Sequence, residues 1–214
     1  MRRFALGGAI GPAVLLGVAA IAGTLRPGYS HLDQFISELG ATGTSHAGLL
    51  NYAGFIPTGV LFVAFAISTL ALEPRTRVSL LGTALLLLFA VGAIVAGIAS
   101  CDVGCPQGSG SLSNVIHDTV SPLAFLALIV ASGVLGMYFR GVPEWRPIWL
   151  YSIATSLVSL GFMAALVASL ESRRLTGLWQ RLVLITLFAW TARVGIRQHR
   201  LLARRSSGRT AADP

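Results

Sequence analysis

An all-α, polytopic membrane bundle of six transmembrane helices is what this sequence predicts, and three observations carry it. The 214 residues are 54% hydrophobic and only 11% charged, against about 25% charged residues in a soluble domain. Six apolar runs, 4–25, 48–72, 78–100, 114–139, 147–170 and 175–198, reach the roughly 20 residues that cross a bilayer as helix. All 16 basic residues are arginine, and they alternate by loop. Arg2, Arg3, Arg75, Arg77, Arg140 and Arg146 lie at the N-terminus and in the second and fourth loops. Arg197, Arg200, Arg204, Arg205 and Arg209 gather at the end, and the remaining loops hold only Arg26, Arg173 and Arg174. By the positive-inside rule both termini are cytoplasmic and the first, third and fifth loops face out, in a multi-pass protein of the plasma membrane.

Residues 1–200 then form a single six-helix domain, and 201–214 a basic, disordered cytoplasmic tail. The net charge of +8 is explained by topology, so no nucleic-acid partner is expected. The bilayer is the partner, with the tail arginines in reach of anionic lipid at about 1 kcal/mol each near the surface.

Taken in order, the first run opens with Met1-Arg2-Arg3 and holds Ala20-Ile21-Ala22 before Gly23, which resembles a cleavable signal peptide. Pro12 and several glycines interrupt it and it is long enough to span, so it is taken as a retained helix. Gly7 and Gly11 form a GxxxG packing pair. In the first loop Ser30 can cap a short helix, with Leu32, Phe35, Ile36 and Leu39 recurring at i, i+3, i+4 and i+7. Such a helix is too short to span and is expected to lie at the outer interface, with His31, Asp33 and Glu38 on its polar side.

His46 precedes the second span, where Asn51 and Thr58 share a face and Pro57 is expected to kink the helix. Gly92 and Ala96 give the third span a small-residue contact. Asp102 stands at its outer mouth. In the fourth span Asn114, His117, Asp118 and Ser121 fall within about 100° of one another on a helical wheel, and Pro122 follows. The fifth carries Ser152, Thr155, Ser156 and Ser159, which suit packing and backbone hydrogen bonds. Arg181 and Arg193 in the sixth lie near its ends, where arginine can snorkel. No internal repeat marks a transporter.

The outer rim thus collects His31, Asp33, Glu38, His46, Asn51, Asp102, Asn114, His117, Asp118 and Ser121. Polar groups this near hydrocarbon are costly, and such a cluster is a candidate ligand site. His31, His46, Asp102, His117 and Asp118 are also candidate ligands for a transition metal such as zinc. Cys101 and Cys105, the only cysteines, face an oxidising exterior that favours a disulfide. Metal binding by both thiolates with His117, or free thiols, are the rivals. No P-loop, GxSxG, HExxH or dinucleotide fingerprint is present, so the soluble catalytic classes those motifs mark find no support.

Pro27-Gly28-Tyr29-Ser30-His31, Ser37-Glu38-Leu39-Gly40-Ala41, Asn51-Tyr52-Ala53-Gly54-Phe55 and Cys101-Asp102-Val103-Gly104-Cys105-Pro106, followed by His117-Asp118, resemble the "domain of unknown function 998" family of prokaryotic membrane proteins. Ala99-Ser100 stands where that family commonly has Phe-Pro. The resemblance implies six helices and an outward polar face, and brings no reaction.

Three functions fit the sequence. One is binding or handling of a small polar ligand, a lipid headgroup, a cation or protons at the outer site. A second is a membrane-embedded, metal-dependent hydrolase of lipid-like substrates, with a histidine on the metal and a carboxylate activating water. The third is a structural or partner protein whose rim closes the bundle. The oligomeric state is left open.

Overall fold

The computed structural model describes residues 1–72 and 74–210, with side chains described as far as residue 205. Six helices follow one another. They are α1 (Gly7–Leu25, entered through a 3-10 turn, Phe4–Leu6), α2 (Ile56–Thr69, preceded by a π-helical segment, Leu49–Phe55) and α3 (Arg77–Ile98). Then come α4 (Leu112–Arg140), α5 (Trp149–Ser169, entered through a 3-10 turn, Arg146–Ile148) and α6 (Thr176–Thr210). Among the described residues there is no strand.

Small residues set the register. Gly82 lies against Leu135 and Gly92 against Ala124, while Gly133 faces Ser156 and Gly136 faces Ser152. The paired numbers add to a nearly constant sum within α3–α4 and again within α4–α5, so each helix runs antiparallel to the next. Gly8 on Thr191 and Gly195 on Ala5 bring α6 back onto α1 in the same sense. The helices therefore close a ring in chain order. A Cβ on Gly7 would land on the Leu61 carbonyl, so only glycine allows α1 and α2 this approach. At the ring's centre Phe62 and Phe89 sit 4.6 Å apart, with Phe188 5.9 and 6.2 Å from them. Leu81, Leu88, Leu123, Val130, Leu157 and Leu160 point outward, as a lipid-facing surface requires.

Among the described residues, five helical segments are long and apolar enough to cross a membrane: Phe4–Leu25, Leu49–Thr69, Arg77–Ile98, Leu112–Arg140 and Arg146–Ser169. α6 has the length, but Gln180, Arg181 and Arg193 dilute it. Its polar groups bond inside the bundle instead: the Trp190 indole N–H donates to Ser152 Oγ at 2.9 Å, and Gln198 to the Ser68 carbonyl.

Several expectations change. The first loop holds no amphipathic α-helix, only turns and a 3-10 helix, Ile36–Gly40. Phe35, Ile36 and Leu39 are buried in the protein rather than laid on lipid, and Leu32 is exposed. The reason is local bonding. Glu38 Oε1 accepts the Phe35 N–H at 3.1 Å and Oε2 the Gln34 amide at 2.8 Å, which closes the chain before a regular turn forms. Pro57 directly follows the π segment inside one continuous helix, Leu49–Thr69, whose hydrogen bonding is irregular just before it. α6 runs on past residue 201 to Thr210, and Leu201 packs on the core. Residues 211–214 lie outside the described residues. Of the fifth-span hydroxyls, Ser152 donates to Ile148 O, Thr155 to Tyr151 O and Ser156 across to Ile129 O, whereas the buried Ser159 Oγ has no hydrogen-bond partner among the described residues.

Candidate functional site

One end of the ring carries the first, third and fifth connections, residues 26–48, 99–111 and 170–175. There α4 begins under a loop that its own first turn organises. Ser111 caps the helix, its Oγ accepting the Asn114 N–H at 3.2 Å. Asp102 in turn accepts the Ser111 N–H at 2.7 Å and its hydroxyl at 2.8 Å. Those donors, at a helix N-terminus, hold the Asp102 carboxyl below the ordinary aspartate value. Asn114 is fully buried: its Oδ1 accepts the Asp102 N–H at 3.0 Å, and its Nδ2 donates to Pro106 O at 2.7 Å and Ser109 O at 2.6 Å. All its capacity is spent on the loop. Cys101 and Cys105 form the disulfide, with Cα atoms 5.1 Å apart, and pack on Ser37.

Behind this loop lies a cavity of ≈ 100 Å³ between α4, α5 and α6. A second space of ≈ 50 Å³ leads towards Phe89, sharing Ser37, His117, Ser121, Phe125 and Gln180 as walls. The cavity exists because α4 and α5 touch closely only in the half where their small residues meet. Nearer the loops Phe125, Met163 and Leu166 hold them apart. Pro122 and Val167, both exposed, edge the opening, so it faces lipid sideways.

The polar wall is under-bonded. His117 Nδ1 lies 2.8 Å from Ala99 O and 3.2 Å from Ala96 O, the free carbonyls at the end of α3. Only a protonated Nδ1 satisfies carbonyls, so the neutral ring keeps its lone pair on Nε2. Asp118 Oδ2 accepts the Gly108 N–H at 2.7 Å, leaving Oδ1 unused. Gln180 Oε1 accepts the Ile36 N–H at 2.8 Å, leaving its amide N–H₂ unused. Ser121 Oγ has no partner among the described residues.

The rest of the predicted rim does not converge. His31 and Asp33 lie on the far side of the first loop, in a clasp with α6. Arg181 donates to Gln34 O at 3.0 Å, Gly177 O at 2.9 Å and Tyr29 Oη at 2.6 Å, and lies 3.1 Å from His31 Nδ1. It is thus bonded within the protein rather than snorkelling. Partial burial and the Arg181 charge hold His31 below the usual histidine value. The Leu175 N–H, 2.9 Å away, and the Ser30 hydroxyl lower Asp33. Asn51 donates to Gly40 O, and Thr58 to Gly11 O instead of meeting the α4 stripe. His46 is exposed, and Glu38 is folded into its own loop.

Among the described residues no three His, Cys, Asp or Glu side chains group to hold a metal. His31, His46, Asp102, His117 and Asp118 are dispersed rather than assembled, and Cys101 and Cys105 bond each other. Gln180, Ser37 and the apolar end of α5 are site residues the sequence reading missed. Gln180 had a signal, an uncharged polar side chain inside an apolar run.

The fold and cavity define a polytopic helical membrane protein with an amphipathic crevice at one end. Over residues 9–197 the sequence matches the family described as "Protein of unknown function (DUF998)", and the chain belongs to it. A curated relative, the "Fluoride-specific ion channel FluC" of Paracoccus denitrificans (strain Pd 1222), is 34% identical over 120 residues, 50% of this chain and 93% of that protein. No solved structure matches the chain.

Proposed function

We propose that the protein spans the plasma membrane six times with both termini cytoplasmic, and that the α4–α5–α6 crevice binds a small amphiphile from the outer leaflet. The observation that carries this is one wall of four unused polar atoms, His117 Nε2, Asp118 Oδ1, Ser121 Oγ and the Gln180 amide, continued by an apolar wall of Phe125, Met163 and Leu166. All four side chains line the cavity, and none of these atoms is sealed off by the protein, so a ligand can reach them. Here acceptors outnumber donors, which suits a head bearing ammonium or hydroxyl hydrogens over an anion. The tail would lie between α4 and α5 and leave through the lipid-facing opening.

Binding is tested by thermal stabilisation of the detergent-purified chain with short-chain alkylamines and ethanolamine-headed lipids. We expect a concentration-dependent rise in Tm that His117→Asn abolishes. Asparagine can still donate from the Nδ1 position to Ala99 O, and it deletes Nε2. No stabilisation by any such amphiphile would sink the reading.

A second reading, ion transport, is favoured by the likeness to the fluoride channel. The Phe62–Phe89–Phe188 cluster closing the bundle's centre weighs against conduction through a single chain. Fluoride efflux from reconstituted vesicles above that of empty vesicles would favour it.

A further inference from the structure

At the opposite end of the ring, α5 and α6 leave a groove of ≈ 650 Å³ that the outer crevice does not explain. Arg193, Arg197, Arg200 and Arg204 line it from α6. Their spacing of four, three and four residues keeps all four on one helix face, over about 16 Å of helix length. Like charges this close repel unless a counter-ion sits among them. Arg197 donates to the Glu144 carbonyl, and Arg193 lies over the Tyr151 ring, 5.2 Å from its centroid. Arg200 and Arg204 are exposed and bond nothing among the described residues, and no carboxylate pairs with any of the four. The groove's apolar lining is Ile196, exposed on α6 among the arginines, and the buried Ile148 at the entry to α5. Trp149 and Tyr151, both half-buried at the start of α5, lie at the same level, where aromatic side chains mark the boundary between hydrocarbon and headgroups. An isolated basic tail would be hydrated all round. These guanidiniums instead flank an apolar trough that opens at headgroup depth.

We propose that this groove is a binding site for an anionic phospholipid, its phosphodiester held by Arg197, Arg200 and Arg204 and an acyl chain lying on Ile196. Guanidinium forks match phosphate oxygens two at a time. An interhelical basic pocket ending in an apolar wall discriminates a lipid phosphate from a free one, because only the lipid fills both halves. The site is separate from the outer crevice and stands or falls without it.

The test is native mass spectrometry of the full chain released from mixed micelles of phosphatidylglycerol and phosphatidylcholine. The wild type is expected to retain phosphatidylglycerol in preference to phosphatidylcholine. Arg200→Gln with Arg204→Gln, at exposed positions without partners among the described residues, should weaken that retention roughly twenty-five-fold, from about fivefold per arginine. Arg75→Gln with Arg77→Gln removes the same charge elsewhere at this end and should leave it unchanged. Equal retention of both lipids, or an equal loss in the two double variants, would overturn the assignment. So would full displacement of the lipid by millimolar inorganic phosphate, which would make the groove a site for a free anion.

Discussion

The two sides of the loop end use the same residue types to opposite effect. In the clasp, His31, Asp33 and Arg181 are each tied to neighbours in the first loop, the fifth loop or α6. In the crevice, His117 and Asp118 spend one atom each on the backbone and leave the other facing a cavity. A histidine beside an aspartate is therefore no sign of function by itself. What separates the two regions is saturation: the clasp has used its hydrogen-bonding capacity to join three segments, and the crevice has kept some in reserve.

The largest effect that would sharpen this contrast is in the clasp. Arg181→Ala strips three acceptors of a charged donor, and such bonds contribute about 1.5–3 kcal/mol each when the partner stays buried. Partial exposure and water reduce the sum to about 2–4 kcal/mol. We expect a large loss of Tm in detergent with ligand stabilisation of the surviving fold intact. A variant as stable as wild type would show that the clasp is decorative. Next comes the loop over the crevice. Cys101→Ser with Cys105→Ser opens a short covalent loop, whose closure contributes about 2 kcal/mol on chain-entropy grounds. Because both cysteines line the cavity, this pair should also weaken ligand binding, which Arg181→Ala should not. Equal binding by the reduced-loop variant would detach the disulfide from the site.

How much of this was legible follows from which forces act locally. The helices were legible because apolar runs of about 20 residues have one stable form in lipid. The α4 stripe was legible too, since a 100° arc on one helix depends only on helical spacing. What failed depended on contacts distant in sequence. Leu32, Phe35, Ile36 and Leu39 fit an amphipathic helix, yet the loop's shape is set by Glu38 on the Phe35 N–H and by Gln180, 144 residues away, on Ile36. Asp102 and Asn114 carry the polarity of site residues and act as the frame. No sequence pattern distinguishes a carboxylate that caps a helix from one that faces a ligand; only its partners do.

A smaller effect would test the reserve in the crevice itself. Asp118→Asn keeps an oxygen for the Gly108 N–H and replaces the other with a donor. Stability should stay within about 0.5 kcal/mol, as for most exposed or half-buried polar changes. Affinity for an ammonium-headed amphiphile should fall about tenfold, or about 1.4 kcal/mol. Titration calorimetry checks it. A tenfold gain in affinity for an anionic amphiphile instead would reverse the sign assigned to the ligand head.

The smallest effect concerns the frame, and here the sign is fixed by the donors around Asp102. Its carboxyl titrates below the ordinary value of 3.8 because the ionised form accepts the Ser111 N–H and hydroxyl. A group whose folded value is depressed stabilises the fold above its unfolded value, and that contribution is lost as pH falls towards the folded one. Part of the acid limb of a Tm-against-pH curve, below about pH 4, should therefore belong to Asp102, and Asp102→Asn should flatten that limb while leaving the curve above pH 5 nearly parallel to wild type. Asp33 is depressed in the same direction by Leu175 and Ser30, so the double variant should flatten it further. If Asp102→Asn left the acid limb unchanged while lowering amphiphile affinity at neutral pH, Asp102 would move from the frame into the site, and the division between spent and reserved polar groups would have to be redrawn around it.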